Sequence, residues 1–201
     1  MTRFYSAFLG VLISLSVPLC AITPTPNIDD NKPRTGFKIG LNNTIWDTNN
    51  DYGSVAAPYL GVFSEFKLAD SLYFQPELAI SGKGFTRGYS NKQVYKLWYI
   101  EVPLLLSYHT PIGLQLYTGP SLAYSISQTI ATEAGAVDID GMFLAYDCTI
   151  VAGLGYPFQL GNSPWIFDTR FSGGLIDIPT SLNSSLIKRG YAVSLLLGSS
   201  F

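Results

Sequence analysis

The last eleven residues of the chain, 191–201, alternate large apolar side chains with small, mostly polar ones. One set is Tyr191, Val193, Leu195, Leu197, Ser199 and Phe201, and the other is Ala192, Ser194, Leu196, Gly198 and Ser200. Because successive side chains of a β-strand point to opposite faces, this period of two predicts a strand between two unlike environments.

Similar alternation recurs along the chain and predicts eight strands in all. They cover roughly residues 35–46, 56–68, 71–86, 93–109, 112–127, 141–158, 164–178 and 190–201. No stretch carries an apolar stripe with the 3.6-residue period of an amphipathic helix. The sequence therefore predicts an all-β domain over residues 35–201.

The composition is unusual for a soluble domain. Charged residues make up 13% of the chain, against about 25% in ordinary soluble domains. Aromatic residues reach 14%, and no apolar run of the length of a transmembrane helix follows the N-terminal segment. The net charge of −2 provides no basic surface for nucleic acid. A chain of this composition without a spanning helix is either unusually prone to aggregation or a membrane β-barrel.

The N-terminal segment 1–21 is predicted to be a secretory signal peptide. Arg3 precedes a short apolar stretch, and cleavage is expected after Ala21. A lipoprotein signal with a lipidated Cys20 is the alternative, although Leu19 is a poor residue before a lipidated cysteine. Cleavage leaves Cys148 as the single cysteine, so no intramolecular disulfide is expected. Residues 22–34, rich in Pro, Asn and Asp, are expected to form a disordered lead-in.

The connections alternate between short and long. Short ones lie near residues 69–71, 110–111 and 159–163, and longer polar ones at 47–55, 87–92, 128–140 and 179–189. Outer-membrane barrels have short periplasmic turns and longer extracellular loops. The pattern predicts an eight-stranded antiparallel up-and-down transmembrane β-barrel in the bacterial outer membrane, with both ends on the periplasmic side.

The two faces of the predicted strands differ in charge. One face is apolar through the middle of each strand. Aromatic residues on it are expected to form two girdles at the membrane interfaces. The girdle near the short turns consists of Phe37, Phe74, Tyr108, Phe158, Trp165 and Phe201, and the girdle at the other end consists of Tyr95, Trp98 and Tyr124. The other face carries Gly and Ser and nine charged residues: Lys38, Glu65, Lys67, Glu77, Lys83, Glu101, Asp147, Asp168 and Arg170.

These nine charges nearly cancel, which favours their enclosure in the lumen of a membrane barrel, where charges must pair. We expect them to form a structural salt-bridge network. Two alternatives remain open: a soluble lipocalin-like barrel, with the faces reversed and an apolar ligand inside, and a small pore. Eight strands leave little room for a pore.

Several motifs resemble the PorT-like outer-membrane β-barrel family. They are Gly36-Phe37-Lys38-Ile39-Gly40-Leu41-Asn42, Gln75-Pro76-Glu77-Leu78, Ser81-Gly82-Lys83-Gly84, Tyr99-Ile100-Glu101-Val102-Pro103-Leu104-Leu105 and Gly119-Pro120-Ser121. The resemblance implies a barrel inserted by the outer-membrane assembly machinery and no enzyme activity. The closing strand ending in Phe201 resembles the assembly signal of such barrels. One member type of the family assists protein secretion, whereas most members have no assigned role.

Catalytic and metal sites are not expected. His109, the only histidine, follows a strand at a short turn, where a solvated position is expected rather than a catalytic one. Glu77 and Glu101 could form an acid–base pair, but the neighbouring cations favour ion pairs. One His and one Cys do not supply a metal site. Pro76, Pro103 and Pro120 interrupt strands and predict bulges or a bend.

The expected function is therefore that of a non-enzymatic barrel, without cofactors, acting through its extracellular loops or as an envelope or secretion accessory. Its expected partners are outer-membrane lipid and the assembly machinery, with another envelope protein as a further candidate. We expect a monomer.

Overall fold

A computed structural model describes residues 33–46, 52–87, 93–132, 135–141, 143–161, 163–175 and 190–200. The predicted signal peptide, almost all of the predicted lead-in, and Phe201 lie outside the described residues. The strands are β1 (Arg34–Trp46), β2 (Tyr52–Ala69), β3 (Leu72–Arg87), β4 (Gln93–His109), β5 (Gln115–Thr132), β6 (Gly135–Asp138), β7 (Tyr146–Leu160), β8 (Ser163–Gly174) and β9 (Gly190–Ser200). No helix in this part of the chain is long and apolar enough to cross a membrane.

Eight of these strands form a closed antiparallel barrel. The order around the ring is β1-β2-β3-β4-β5-β7-β8-β9, and the pairing of β9 with β1 completes it. The closing register runs from Gly36 opposite Ser200 to Trp46 opposite Gly190. The predicted eight-stranded up-and-down barrel is confirmed.

The ninth strand, β6, is a short arm outside the ring. It pairs with the last four residues of β5, with Thr132 opposite Gly135. The sequence predicted a polar connection over 128–140, whereas β5 continues to Thr132 because its end also pairs with β4, at Val94 opposite Ala131. Pairing between neighbours, rather than apolar alternation, extends the strands at this end of the barrel.

The barrel turns its apolar face outward. Leu41, Leu60 and Leu78 are each more than half exposed, whereas Lys38 and Glu77 are buried. The lipocalin-like alternative required the reverse arrangement and is therefore wrong. The prediction that Tyr95 belongs to an outer aromatic girdle is also wrong. Tyr95 has the same phase as Glu101 and is buried in the lumen.

Pro76, Pro103 and Pro120 do not create bulges. The β5–β7 register is unbroken around Pro120, with Gly119 opposite Val151 and Ser121 opposite Thr149. The β3–β4 register is the same on both sides of the proline positions, with Pro76 opposite Leu104 and Ala79 opposite Glu101. Each proline removes a donor from the ladder without inserting a residue. The bulge prediction was wrong at these sites. A register shift between β4 and β5 occurs instead at Trp98 and Tyr99.

Candidate functional site

The centre of the lumen holds a four-charge cluster formed by Lys38, Glu77, Asp168 and Arg170. Lys38 Nζ lies 2.8 Å from Glu77 Oε1 and 2.7 Å from Asp168 Oδ2. Arg170 Nη1 lies 2.9 Å from Glu77 Oε2, and its Nη2 lies 3.0 Å from Asp168 Oδ2. Each cation therefore bridges both carboxylates, and the formal charges cancel.

Neutral polar and aromatic groups surround this cluster. Gln75 Nε2 donates a hydrogen bond of 2.6 Å to Glu77 Oε1, and Tyr59 Oη donates one of 3.0 Å to Glu77 Oε2. Tyr117 Oη donates to Asp168. Gly153 makes room for the Tyr117 ring, because a Cβ at position 153 would overlap the phenol. These contacts satisfy carboxylates that burial would otherwise penalise.

A second group, the Lys83 cluster, lies nearer the end of the barrel that carries β6. Lys83 Nζ lies 2.7 Å from Glu101 Oε1 and 3.2 Å from Asp147 Oδ2. The ammonium also lies 4.9 Å from the centre of the Tyr99 ring. One cation thus serves two carboxylates.

The short-turn end of the lumen contains His109 and Glu65. His109 Nε2 lies 3.2 Å from Glu65 Oε1, and its ring stacks on Tyr73 at a centroid distance of 4.1 Å. His109 is therefore not the freely solvated turn residue that the sequence suggested. Lys67 has the inward phase of Glu65, but it is exposed because β2 is close to its turn there.

The opposite end of the lumen contains an aromatic chamber lined by Phe85, Tyr95, Leu97 and Tyr99. Phe143 from the connection between β6 and β7 fills it and is 5% exposed. Its ring packs edge-to-face on Phe85 and Tyr95, at centroid distances of 6.1 and 6.2 Å. Sequence reasoning missed this group, because Phe143 fell within a stretch assigned to a strand.

A side-chain amide holds Phe143 in place. The backbone N–H of Phe143 donates to Gln128 Oε1 at 3.0 Å, and Gln128 Nε2 donates to the Phe143 carbonyl at 3.2 Å. Gln128 thus pairs with both backbone polar groups of one residue. Tyr99 joins the chamber to the Lys83 cluster, because its ring also contacts the Lys83 ammonium.

The arrangement offers little to acid–base or metal chemistry. Glu77 pairs with Lys38 and Arg170, whereas Glu101 pairs with Lys83, so the two carboxylates belong to different ion-pair clusters. Within the described ranges, no three His, Cys, Asp or Glu side chains are placed to hold a metal ion.

The sequence matches the model of the family described as outer membrane protein beta-barrel domain over residues 5–179. The chain belongs to this family. It is an integral barrel protein of the bacterial outer membrane, and its outward apolar face contacts lipid. A comparison with curated proteins found no match.

Several solved barrels are similar to the chain. Neisserial surface protein A is 13% identical, with a TM-score of 0.45 and coverage of 84% of this chain and 97% of that one. The attachment invasion locus protein Ail of Yersinia pestis is 10% identical, with a TM-score of 0.42 and coverages of 84% and 97%. OprG from Pseudomonas aeruginosa is 15% identical, with a TM-score of 0.41 and coverages of 84% and 94%.

In this family setting, the aromatic pairs on the outside of the barrel fit the two interfaces of the membrane. Phe37 and Trp165 meet edge-to-face at 6.2 Å near the short turns. Tyr124 and Tyr146 lie 5.2 Å apart toward the other end. Aromatic side chains favour the headgroup level, where one end of the ring is apolar and the other is hydrated.

Proposed function

We propose that the protein is a non-enzymatic outer-membrane barrel whose lumen is filled by side chains and whose activity resides at its extracellular end. The observation that carries this proposal is the series of side-chain groups that fill the lumen from one end to the other. His109 and Glu65 lie at one end, the four-charge cluster and the Lys83 cluster follow, and Phe143 lies at the other end.

The same contacts support a structural role for the inward charges. A buried carboxylate whose two oxygens both accept hydrogen bonds from neighbouring side chains has no open side for a substrate. Glu77 is in this position between Lys38 and Arg170. The lumen charges therefore fix the strands relative to one another and neutralise the interior of the barrel.

The PorT-like relationship is part of the proposal, supported by the motifs in β1, β3, β4 and β5. With it we propose export through a signal peptide of residues 1–21, a lead-in of residues 22–34, and insertion by the assembly machinery guided by Phe201. The functional surface is then formed by residues 47–55, 87–92, 128–140 and 179–189, acting alone or against another envelope protein.

Reconstitution in planar lipid bilayers separates this proposal from a small pore. The filled lumen predicts no discrete conductance steps, while the same sample shows a different gel mobility before and after boiling. Conductance steps from a sample with that mobility shift would establish the pore instead. A sample extracted without detergent and insensitive to boiling would reject the membrane barrel.

The role of the extracellular end is tested by replacing residues 179–189 with a Gly-Ser segment of equal length. Cross-linking in native outer membranes should then lose the adduct that the unmodified chain forms, while gel mobility stays unchanged. An adduct that survives this replacement would contradict a role for residues 179–189 in contact with a partner.

A further inference from the structure

Phe143 is buried although it does not belong to a strand. It belongs to the connection between β6 and β7 rather than to a strand of the ring. Yet it is 5% exposed and packs in a cluster contributed by β3, β4 and β5. The residues of the aromatic chamber therefore lie on strands, whereas Phe143, which fills the chamber, lies on a connecting segment.

The chamber is apolar and shaped for a ring. Phe85 and Tyr95 stack at a centroid distance of 4.4 Å and present their surfaces to Phe143 edge-to-face. Leu97 and Tyr99, 1% and 2% exposed, complete the wall. Aromatic contacts of this geometry favour another aromatic or large apolar side chain in the same position.

Gln128 adds recognition of a peptide backbone. Its side-chain amide accepts from the N–H and donates to the carbonyl of the same residue. This pairing suits any residue that places its side chain in the chamber, because it uses only main-chain groups. An acyl chain has neither an N–H nor a carbonyl in this arrangement.

The position of Gln128 does not depend on Phe143 alone. The Gln128 N–H donates to Asp140 Oδ1 at 2.8 Å, and the Gln128 carbonyl accepts from the Ile139 N–H at 2.9 Å. Its Nε2 also donates to Ser125 Oγ at 3.1 Å. These bonds hold the recognising amide within β5 and the adjoining turn.

We propose that the aromatic chamber and Gln128 form a binding site for an aromatic residue of an extended extracellular peptide, and that Phe143 is the internal occupant that such a peptide displaces. The inference deepens the proposed function, since it rests on the extracellular end being the active surface. It makes the partner a polypeptide segment with an exposed Phe or Tyr. Phe143 competes with the peptide for the chamber. The apparent affinity for the peptide is therefore the intrinsic affinity multiplied by the fraction of molecules whose chamber is vacant.

The test uses the full-length protein in detergent micelles and an acetylated, amidated peptide copying residues 141–144, Gly-Met-Phe-Leu. A matched peptide carries Ala in place of Phe. Phe143→Ala should bind the Phe peptide at least about tenfold more tightly than the Ala peptide, and at least about tenfold more tightly than the unmodified chain does. Equal affinities for the two peptides would overturn the proposal.

A second variant isolates the backbone recognition. Phe143→Ala combined with Gln128→Leu should lose at least about tenfold of the affinity for the Phe peptide, which corresponds to about 1.4 kcal/mol. Undiminished binding by this double variant would show that the chamber binds apolar groups without hydrogen bonds to a peptide backbone. That result would reject a peptide partner. Toluene should bind both variants alike.

A chain that keeps the aromatic ring at position 143 provides a test that does not require the variants to fold. With 4-fluorophenylalanine at position 143, saturating Phe peptide should shift the fluorine resonance to that of a solvent-exposed ring. A resonance that stays unchanged would refute displacement. Gel mobility and bilayer recordings report on the filled barrel separately, so a negative peptide result leaves the proposed barrel function standing.

Discussion

Replacing Arg170 by methionine removes one of the two cations of the four-charge cluster and nearly preserves side-chain volume. Arg170 contacts Glu77 through both Nη atoms, at 2.9 and 3.3 Å, and Asp168 through Nη2 at 3.0 Å. Nη1 also donates to Tyr59 Oη at 3.3 Å. In the variant, Lys38 alone faces two buried carboxylates.

We expect Arg170→Met to lower the free energy of unfolding by about 3–5 kcal/mol, because the remaining carboxylates stay buried with an uncompensated charge. Combining it with Glu77→Gln restores the balance between Lys38 and Asp168. The double variant should therefore lose about 0.5–3 kcal/mol less than the sum of the two single variants.

The measurement is urea-induced unfolding in phospholipid vesicles, followed by tryptophan fluorescence, with unheated gel mobility as the check of folding. Thr169→Val is the matched control, since Thr169 lies between Asp168 and Arg170 in sequence on β8 and has the opposite phase. Its effect should stay within about 0.5 kcal/mol. If Arg170→Met costs less than the control, or if the double variant equals the sum of the singles, the lumen charges do not act as one paired cluster.

Three further predictions concern the lipid face, a lumen glycine and the lumen itself. Leu104→Arg should lower the free energy of unfolding in vesicles by about 2–4 kcal/mol, whereas Leu160→Arg beside a turn should lower it by about 0–1 kcal/mol. Similar losses for the two variants would contradict the membrane position of the barrel. Gly153→Ala should destabilise by about 1–3 kcal/mol because its methyl group displaces Tyr117. Gly173→Ala, where the nearest atom to a new Cβ is 3.7 Å away, should stay within about 0.5 kcal/mol, and equal effects of the two substitutions would contradict this packing. Planar-bilayer recordings should show no conductance steps, and steps that persist after further purification would contradict a closed lumen.

Strand phase was predictable because it is a local property. Within one strand, steps of two residues keep the same face, so Lys38, Glu77 and Glu101 could be assigned inward without knowing their neighbours. The phase rule also contained the answer for Tyr95, which lies an even number of residues from Glu101. Grouping Tyr95 with aromatic residues by position along the strand, rather than by phase, produced the error.

The partners of the inward charges were not predictable in the same way. Lys38 on β1 contacts Glu77 on β3 and Asp168 on β8, and these contacts depend on strand order and register around the whole ring. Phe143 was missed for a related reason. Its aromatic side chain is compatible with a strand, but hydrogen bonds to Gln128 draw the connecting segment into the lumen.

The pairing of β1 with β9 joins the beginning of the barrel to its end. Gly36 and Ser200 are opposite one another, so the last ladder can form only after the final strand has been synthesised. Until then both β1 and β8 present unpaired strand edges, which promote aggregation in water and are costly in lipid. Closure of the ring therefore requires both ends of the barrel domain. A truncation that removes β9 is expected to abolish insertion as a whole, rather than to yield a smaller barrel.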